Sequence, residues 1–244
     1  MDETERVRRL FDYVAEHEEY RVDLRPYLDT LEVEFKDKTV LEAGCGQGLT
    51  ACHLAGAGGA RSVVGFDMSP ASIRQADSLK GGAGLSNARF EVATIEDFRA
   101  TERFDVVCSF GVLQYVQDFF GCVDVLCGHL KVAAGATLVF TMSQPTLLSR
   151  LGSVARCVVS RLPERLVPAA VRLIAMILAP LNIQGRYGDR PLTNLVRESL
   201  FSPVYNLIPA DRVAAHLRAA GFSASVRPFL GIEGMYTVIA RRPA

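Results

Sequence analysis

A run of ten residues from Thr39 to Gly48 constrains the fold of this chain more than any other part of its sequence. The run opens with residues that favour a buried strand, continues with Glu42, and then places glycines at alternate positions, Gly44, Gly46 and Gly48. A helical pattern follows directly after the last glycine. A strand, a glycine turn and a helix N-terminus let the backbone pass close to a ligand, because glycine has no side chain and the first helical amides are free to donate. The run therefore predicts a strand–loop–helix unit that binds a ligand.

The spacing of the three glycines indicates the kind of ligand. A dinucleotide-binding loop requires the pattern G-x-G-x-x-G to seat a pyrophosphate. This chain has G-x-G-x-G with an acidic residue two positions before the first glycine, so the spacing disfavours an NAD-dependent oxidoreductase. The loop resembles the cofactor loop of S-adenosylmethionine (SAM)-dependent methyltransferases with a Rossmann-like fold. The alternative is an ordinary tight turn between a strand and a helix, which the further matches described below disfavour.

Apolar strands alternate with helical patterns through the first part of the chain. We predict a helix, interrupted or restarted at Pro26, over residues 4–31. Continuous apolar strands joined by helices indicate a parallel sheet that is covered on both faces. The strands are predicted at residues 39–42, 62–66, 88–93, 104–110 and 136–141, and the helices between them at residues 49–57, 70–80 and 118–130.

The alternation stops after Thr141. Residues 143–202 carry two apolar helical stretches punctuated by prolines, after which a helix at 209–220 and strands at 223–229 and 235–240 are predicted. The fold class that we predict is α/β: a Rossmann-like, doubly wound sheet of seven mostly parallel strands that ends in an antiparallel hairpin, with an N-terminal helix and a helical cap insertion.

The resemblance implies a single methyltransferase domain, residues 1–244, made of three parts. Residues 1–35 form an N-terminal helical lid, residues 36–142 and 203–244 form the Rossmann-like core, and residues 143–202 form the helical cap insertion. The cap is expected to lie over the methyl acceptor.

Asp67 ends the second predicted strand, nineteen residues after Gly48. An acid at the tip of the strand beside the glycine loop accepts hydrogen bonds from both hydroxyls of a ribose, and such charge-assisted bonds are strong. The alternative role is an N-cap for the helix that begins at Pro70, although Ser69 is better placed for that role. We therefore assign ribose binding to Asp67.

The fourth predicted strand provides a second match to the same family. Residues 104–115 read Phe-Asp-Val-Val-Cys-Ser-Phe-Gly-Val-Leu-Gln-Tyr and resemble the F-D-V-V-x-S-x-x-V-L run of small-molecule methyltransferases. The resemblance implies that backbone carbonyls near Ser109 and Phe110 hold the amino group of the cofactor, and that Gln114 and Tyr115 bind the acceptor. Many relatives carry histidines here and this chain does not, which leaves the proton-transfer step unassigned. Packing in the core is the alternative role for Tyr115.

The third predicted strand leads into the turn where this family usually has an aspartate that contacts the adenine amino group. Thr94 stands at this position, so its hydroxyl and the backbone amide of Ile95 are the two candidates for adenine binding. In total, the resemblance assigns cofactor binding to eleven residues: Glu42, Gly44, Cys45, Gly46, Gly48, Asp67, Met68, Thr94, Ile95, Ser109 and Phe110.

Candidate catalytic residues come from the end of the N-terminal helix, which usually folds over the cofactor in this family. His17 and Tyr20 lie there and are candidates, together with Tyr115, for contact with the acceptor. The other histidines fall in predicted helices and are expected to be structural or exposed. No group of His, Cys and Asp residues has the spacing of a metal site, so we expect no metal.

Composition limits the partners of the chain. Lys and Arg total 27, and Asp and Glu also total 27, so the chain lacks the basic excess that a general nucleic-acid binder needs for phosphates, and no nucleic-acid partner is expected. Six scattered cysteines without a C-x-x-C pair, and an N-terminus without an apolar signal core, favour a cytoplasmic protein with reduced thiols.

The apolar and basic region 145–190 leaves two interpretations open. Its apolar stretch from Leu166 to Leu181 is shorter than the roughly twenty residues that a transmembrane helix needs, so no transmembrane segment is predicted. Apolar and basic residues together are typical of a helix on a membrane surface. They are equally typical of a cap helix that packs on the core while its arginines face water.

These patterns predict an enzyme that transfers a methyl group from SAM to a small-molecule acceptor. The apolar character of the cap suggests that the acceptor is aromatic or lipid-like, and a natural-product pathway is a reasonable setting. The first alternative is a non-catalytic SAM-binding or interaction protein of the same fold, which Thr94 and the absent histidines favour slightly. A macromolecular acceptor such as RNA is the second alternative, which the arginines between residues 150 and 190 leave open.

Overall fold

The computed structural model of the chain describes residues 2–17, 24–159, 161–181, 192–229 and 234–243. The strands of these segments are β1 Thr39–Ala43, β2 Ser62–Asp67, β3 Ala88–Val92, β4 Val106–Ser109, β5 Thr137–Ser143, β6 Ser223–Pro228 and β7 Met235–Arg241. They form one seven-stranded sheet in the order β3-β2-β1-β4-β5-β7-β6. Strands β1 to β5 pair in parallel, and β7 is antiparallel to both β5 and β6. The predicted Rossmann-like fold class is confirmed.

The helices follow the predicted alternation closely through the core. Short 3-10 helices occupy residues 113–115, 164–166 and 179–181. The α-helices are α1 Glu3–His17, α2 Arg25–Leu28, α3 Leu49–Ala55, α4 Pro70–Gly82, α5 Phe119–Gly128, α6 Leu147–Val159, α7 Val167–Leu178, α8 Leu192–Phe201 and α9 Ala210–Ala219.

Both faces of the sheet are buried, because alternate residues of each strand point to opposite sides. One face packs against α5 and α9 around a cluster that includes Phe66, Leu126 and Leu217. The other face packs against α2 and α3 around a cluster that includes Leu54 and Val63. These two cores hold the carboxyl ends of β1, β2 and β4 side by side, which is where open α/β sheets bind their ligands.

The N-terminal region was predicted as a helix over residues 4–31 that is interrupted or restarted at Pro26, and the described residues form two helices there. Helix α1 ends at His17, and α2 is a separate turn that begins at Arg25. Pro26 lies in the first turn of α2, where the missing amide hydrogen removes no helical bond. The proline therefore restarts the helical path. Tyr20 lies outside the described residues.

The described part of the cap between β5 and α9 contains three α-helices. Helices α6 and α7 lie in the region where two apolar helical stretches were predicted, and α8 is a further helix that was not predicted. Helices α6, α7 and α8 surround a small core of their own that includes Val171 and Phe201. Helix α8 escaped prediction because its apolar residues recur among polar ones, at Leu192, Val196 and Leu200. That spacing produces an amphipathic helix without a continuous apolar run.

Candidate cofactor and acceptor site

The loop between β1 and α3 adopts a conformation that favours glycine. Gly44, Gly46 and Gly48 have φ angles of +69°, +51° and +79°, in the left-handed region that other residues adopt only with strain. A Cβ at Gly44 would lie 2.3 Å from Cγ2 of Val112, and one at Gly48 would lie 2.7 Å from the Cβ of Ala76. The glycines thus allow both the turn itself and the close approach of the loop to its neighbours.

Asp67, at the end of β2, turns its carboxylate toward this loop. Its Oδ2 accepts the N–H of Gly46 at 2.9 Å, and its Oδ1 accepts the N–H of Ser69 at 2.9 Å. Burial raises the pKa of Asp67, and these two amide bonds oppose the shift. A carboxylate offers about four acceptor positions, so two amide bonds leave room for ligand hydroxyls. Ser69 caps α4, because its Oγ accepts the N–H of Ser72 at 3.1 Å.

A cavity opens beside Asp67 at the carboxyl edge of the sheet. The space between its walls is about 800 Å³, part of which is open to solvent. Its walls come from the ends of four strands, from α1 and from the segment before α9. The lining residues are Thr4, Val7, Phe11, Gly44, Phe66, Asp67, Met68, Ala93, Thr94, Ile95, Glu96, Phe110, Gly111, Val112, Tyr115, Val116, Gln117 and Val204.

Helix α1 covers one side of this cavity and is fixed to α4. Ser69 donates from its Oγ to Oδ1 of Asp12 at 2.6 Å, and the N–H of Ala71 donates to the same oxygen at 3.3 Å. Nε2 of Gln75 donates to the carbonyl of Ala15 at 2.5 Å. Helix α1 therefore places the carboxylate of Asp12 at the N-terminus of α4, where its negative charge complements the positive end of the α4 dipole.

The predicted site residues divide into two groups. Those that line the cavity are Gly44, Asp67, Met68, Thr94, Ile95, Phe110 and Tyr115. Those that lie outside its lining are Glu42, Cys45, Gly46, Gly48, Ser109 and Gln114. His17 ends α1. The cofactor and catalytic roles of all these residues stay predictions.

Two residues of the second group, Cys45 and Ser109, have structural partners in their surroundings. Sγ of Cys45 contacts the carbonyl of Gly46 at 3.7 Å, and burial raises the pKa of this thiol well above its usual range, so it is not a reactive thiolate. Ser109 donates from its Oγ to the carbonyl of Ala43 at 3.0 Å, which ties β4 to β1.

Glu42 is buried beneath the glycine loop. Burial raises the pKa of Glu42 from 4.5 to about 8. A hydrogen bond from the backbone amide of Ala51 opposes this shift, and the nearby negative charge of Asp67 increases it. Its Oε2 has no hydrogen-bond partner among the described residues. Glu42 therefore supports the loop from below as a protonated acid near neutral pH.

We expect Glu42→Gln to flatten the pH dependence of stability. A carboxyl group whose pKa is higher in the folded state than in the unfolded state binds its proton more tightly when folded, so stability falls as the pH rises from about 5 to about 8. Glutamine cannot ionise, so the free energy of unfolding of the variant should fall less over this window. Urea unfolding at several pH values measures it, with the exposed Glu34→Gln as a matched control. If the free energy of unfolding depended on pH equally in the Glu42→Gln and Glu34→Gln variants, the raised pKa assigned to the buried Glu42 would be contradicted.

Thr94, at the end of β3, has a hydroxyl that is engaged within its own turn. Its Oγ1 donates to Oδ2 of Asp97 at 2.9 Å and accepts the N–H of Asp97 at 3.2 Å. One lone pair remains for a ligand, so the hydroxyl is a weaker candidate for adenine binding than the neighbouring backbone. Ile95, the second candidate, is buried in the cavity wall.

A chain of aromatic rings connects α1, the sheet edge and the cap. Phe11 contacts Tyr115 edge to face at 5.0 Å between ring centroids, and Tyr115 contacts Tyr205 in the same way at 5.4 Å. Arg156 of α6 places its guanidinium 4.4 Å from the centre of the Tyr205 ring. Tyr115 is thus a buried packing residue that also lines the cavity.

Gln114 lies next to this aromatic chain. Its side chain is buried, and its Oε1 has no hydrogen-bond partner among the described residues. Its backbone carbonyl accepts the N–H of Asn206 at 2.6 Å, which holds the segment before α9 against the sheet edge. A buried amide oxygen without a partner is costly, and Gln114 is next in sequence to Tyr115, which lines the cavity.

Several cavity residues escaped sequence reasoning. Thr4, Val7 and Phe11 line the cavity from α1, at the spacing of one helical face. That spacing was visible in the sequence, but it cannot indicate which partner the face meets. Val204 and Glu96 also line the cavity, and no motif marks them.

Neither a metal site nor a membrane span is found in the described part of the chain. No three His, Cys, Asp or Glu residues of those segments lie close enough to hold a metal ion. No described helix is long and apolar enough to cross a membrane.

Comparison with known proteins agrees with this geometry. A family model described as "Methyltransferase domain" matches residues 34–155, which include the glycine loop, Asp67 and the end of β4. The chain therefore belongs to the class I SAM-dependent methyltransferases, whose cofactor is SAM.

Individual relatives resemble only part of the chain. The chain is 37% identical over 127 residues to a tRNA U34 carboxymethyltransferase of Shewanella halifaxensis, a match that covers 50% of this chain and 37% of that protein. It is 42% identical over 59 residues to a 2-heptyl-1-hydroxyquinolin-4(1H)-one methyltransferase of Mycobacteroides abscessus, covering 24% of this chain and 25% of that protein. The match thus spans 37% of the length of the first relative and 25% of the length of the second.

A solved structure with bound SAM has the same fold. Magnesium protoporphyrin IX methyltransferase from Synechocystis PCC 6803 superposes with a TM-score of 0.61 at 14% identity, over 99% of this chain and 98% of that one. At this identity the similarity concerns the fold alone.

Proposed function

We propose that this chain transfers a methyl group from SAM to a small, apolar acceptor. The observation that carries the proposal is the cavity, whose lining is mixed in chemistry. Gly44 and Asp67 contribute backbone and a carboxylate, and Val7, Phe11 and Val112 contribute apolar surface. A lining that combines a few polar groups with apolar side chains suits a charged nucleoside next to an apolar acceptor.

The residues present fit the cofactor. Asp67 would hold the ribose hydroxyls with the acceptor positions that Gly46 and Ser69 leave unused. The position of a Cβ on Gly46 has no atom within 4 Å, so the loop leaves open space for a ligand there. Thr94 and Ile95 would flank the adenine. When bound, SAM supplies a methyl group on a sulfonium sulfur, which is already activated for transfer.

The chain's own contribution is to align the two reactants and to exclude water. Alignment of two reactants lowers a barrier by roughly 7–11 kcal/mol. Helix α1 covers the cavity through Thr4, Val7 and Phe11, and Asp12 fixes the helix to α4. We propose that residues 1–35 serve as a lid, that residues 36–142 and 203–244 form the catalytic core, and that the insertion at 143–202 encloses the acceptor side.

Acceptor recognition is proposed for Gln114 and Tyr115, which lie on the turn after β4. The unpartnered Oε1 of Gln114 supports a hydrogen bond to the acceptor, and Tyr115 would supply an aromatic surface. Tyr20, His17 and Tyr115 are proposed as candidates for proton transfer from the acceptor, which contributes about 10²–10⁴-fold where a base acts.

Gln114→Met tests the acceptor assignment. Methionine fills a similar volume without the buried carbonyl, and an unsatisfied buried polar group costs about 1–3 kcal/mol. We therefore expect thermal stability that is equal to or higher than that of the wild type, with kcat/KM for the acceptor lowered about tenfold. Steady-state kinetics and a melting curve measure the two effects. An unchanged kcat/KM would remove Gln114 from the acceptor site.

The function itself is tested by turnover. Purified protein, SAM and a panel of aromatic and lipid-like hydroxyl and amine acceptors are incubated, and release of S-adenosylhomocysteine is measured. Acceptor-dependent release supports the proposal. Tight binding of S-adenosylhomocysteine without turnover on any acceptor, including RNA, would favour the non-catalytic SAM-binding protein.

A second candidate function is methyl transfer to RNA. It is favoured by the similarity to a tRNA carboxymethyltransferase over half of this chain, whereas the quinolone methyltransferase similarity and the apolar cavity favour a small molecule. The balanced charge of the chain is unfavourable for RNA. Turnover with bulk tRNA that exceeds turnover with every small acceptor would favour the second candidate. A natural-product pathway is the setting that we propose for the small-molecule function.

A further inference from the structure

Helix α7 of the cap exposes an apolar face. Its inward side packs against α8. On the opposite side Leu173, Met176 and Ile177 are 55%, 67% and 65% exposed, and Leu166, directly before the helix, is 47% exposed. Residues three, four and seven positions apart share one side of a helix, so the four side chains form one stripe. This stripe, Leu166, Leu173, Met176 and Ile177, is the α7 outer face.

The charges along the α7 outer face are positive. From Arg165 to Leu181 the sequence contains two charged residues, Arg165 and Arg172, and no acidic residue; Glu164 directly precedes this range. Both arginines are exposed, and Arg172 directly precedes Leu173, so it borders the stripe midway along its length. A group of neighbouring exposed apolar side chains bordered by polar residues is typical of an interaction site. The partner must therefore offer an apolar interior bordered by negative charge.

We propose that the α7 outer face docks on the surface of an anionic lipid bilayer. An interfacial helix buries its apolar side chains at the boundary between headgroups and acyl chains while its cations contact the headgroup phosphates. Leu173, Met176 and Ile177 would enter this boundary, and Arg165 and Arg172 would contact the phosphates. The helix has twelve residues, too few for the roughly twenty that a transmembrane helix needs, so it lies along the surface.

A second copy of the chain is the competing occupant, and the charges disfavour it. A two-fold symmetric contact brings the same patch of both copies together. Arg172 flanks the stripe, so a two-fold contact through this face would bring together two positively charged copies with no acidic residue of α7 to balance them. A bilayer of anionic lipids supplies the opposite charge to both arginines at once.

Vesicle sedimentation tests the proposal with the full chain. We expect the wild type to sediment with phosphatidylcholine vesicles that contain phosphatidylglycerol and to bind pure phosphatidylcholine at least tenfold more weakly. The triple variant Leu173→Ser/Met176→Ser/Ile177→Ser should lose at least tenfold in affinity for the anionic vesicles. Arg172→Glu should lose about fivefold or more, because each basic residue near the surface contributes about 1 kcal/mol. The matched control is Val132→Ser, which removes a side chain that is 87% exposed outside the cap.

A fluorescent reporter provides an independent readout, because the chain contains no tryptophan. Met176→Trp introduces a single indole on the α7 outer face, and its emission should shift to shorter wavelength when anionic vesicles are added. Val132→Trp should show no shift. Because both sites are exposed, neither change disturbs a packed core.

The outcomes separate the proposal from its alternatives. Wild-type protein that stays in the supernatant with anionic vesicles overturns it, as does a triple variant that binds them as tightly as the wild type. A monomer–dimer equilibrium in analytical ultracentrifugation that the triple variant abolishes, without vesicle binding, assigns the face to a second copy and also overturns it. Unchanged affinity of the triple variant for S-adenosylhomocysteine would show that the loss of vesicle binding does not reflect unfolding.

Discussion

Asp67→Ala should weaken the binding of S-adenosylhomocysteine at least about tenfold, since a hydrogen bond to a charged group contributes roughly 1.5–3 kcal/mol. The carboxylate lines the cavity, and the amides of Gly46 and Ser69 fix both of its oxygens. Alanine removes the proposed ribose contact and also releases the loop amide that the carboxylate holds. Isothermal titration calorimetry with S-adenosylhomocysteine measures the affinity, and thermal unfolding measures the accompanying loss of stability.

Substitution of a second aspartate, Asp77, is the control that separates a loss of ligand binding from a general effect of removing a negative charge. Asp77 lies on α4, is half exposed and forms an ion pair with Lys80 at 3.2 Å, and it does not line the cavity. Asp77→Ala should leave the affinity unchanged. A folded Asp67→Ala variant that binds S-adenosylhomocysteine as tightly as the wild type would refute ribose binding by this carboxylate.

Gly44→Ala is the second change with a large expected effect, because it combines two costs. The φ angle of +69° is unfavourable for alanine by about 1–2 kcal/mol. The added methyl group would lie 2.3 Å from Cγ2 of Val112, and overpacking of this kind costs about 1–3 kcal/mol. We expect the free energy of unfolding to fall by about 2–5 kcal/mol in total. Cofactor affinity should fall with it, because Val112 forms part of the cavity wall.

Gly46→Ala is the matched control for Gly44→Ala. Its φ angle of +51° carries the same kind of strain, but a Cβ there has no atom within 4 Å. Urea unfolding of both variants should therefore show the larger loss at Gly44, and the added change Val112→Ala should recover part of it. Equal losses at the two glycines would mean that the close approach of the loop to Val112 has no energetic consequence. A large loss of affinity with little loss of stability in Gly46→Ala would in turn support close passage of a ligand at that glycine.

The core of the fold was predictable because its signals are local. Continuous apolar strands, a glycine loop and a proline at a helix start depend on neighbouring residues, so the order of β1 to β5 and the helices between them could be read directly. The prediction of α8 failed for the same reason, since a helix that buries one side in a small cap core shows no continuous apolar run. From the sequence alone, Pro26 could either interrupt the N-terminal helix or restart it, and only the position of α2 distinguishes these two interpretations.

The residues of the candidate site also fall into two groups: those that a local sequence motif predicts, and those whose role depends on tertiary contacts. Gly44, Asp67 and Phe110 follow from motifs on single strand ends, and all three line the cavity. Glu42 belongs to the same motif, yet its burial beneath the loop and its raised pKa depend on how β1 packs against α3. Asp12 belongs to no recognisable motif, because its role arises from a contact with Ser69, which lies 57 residues further along the chain.

By itself, the amino-acid sequence determined the parallel sheet, the glycine loop and the acid at the end of β2, because backbone conformation and strand burial are encoded by near neighbours. Only the tertiary structure decided which residues of α1 line the cavity, that Gln114 keeps a buried oxygen without a described partner, and that the described residues leave one side of α7 uncovered. These features depend on which distant surfaces meet. That outcome is set by the packing of the whole chain, and no local pattern contains it.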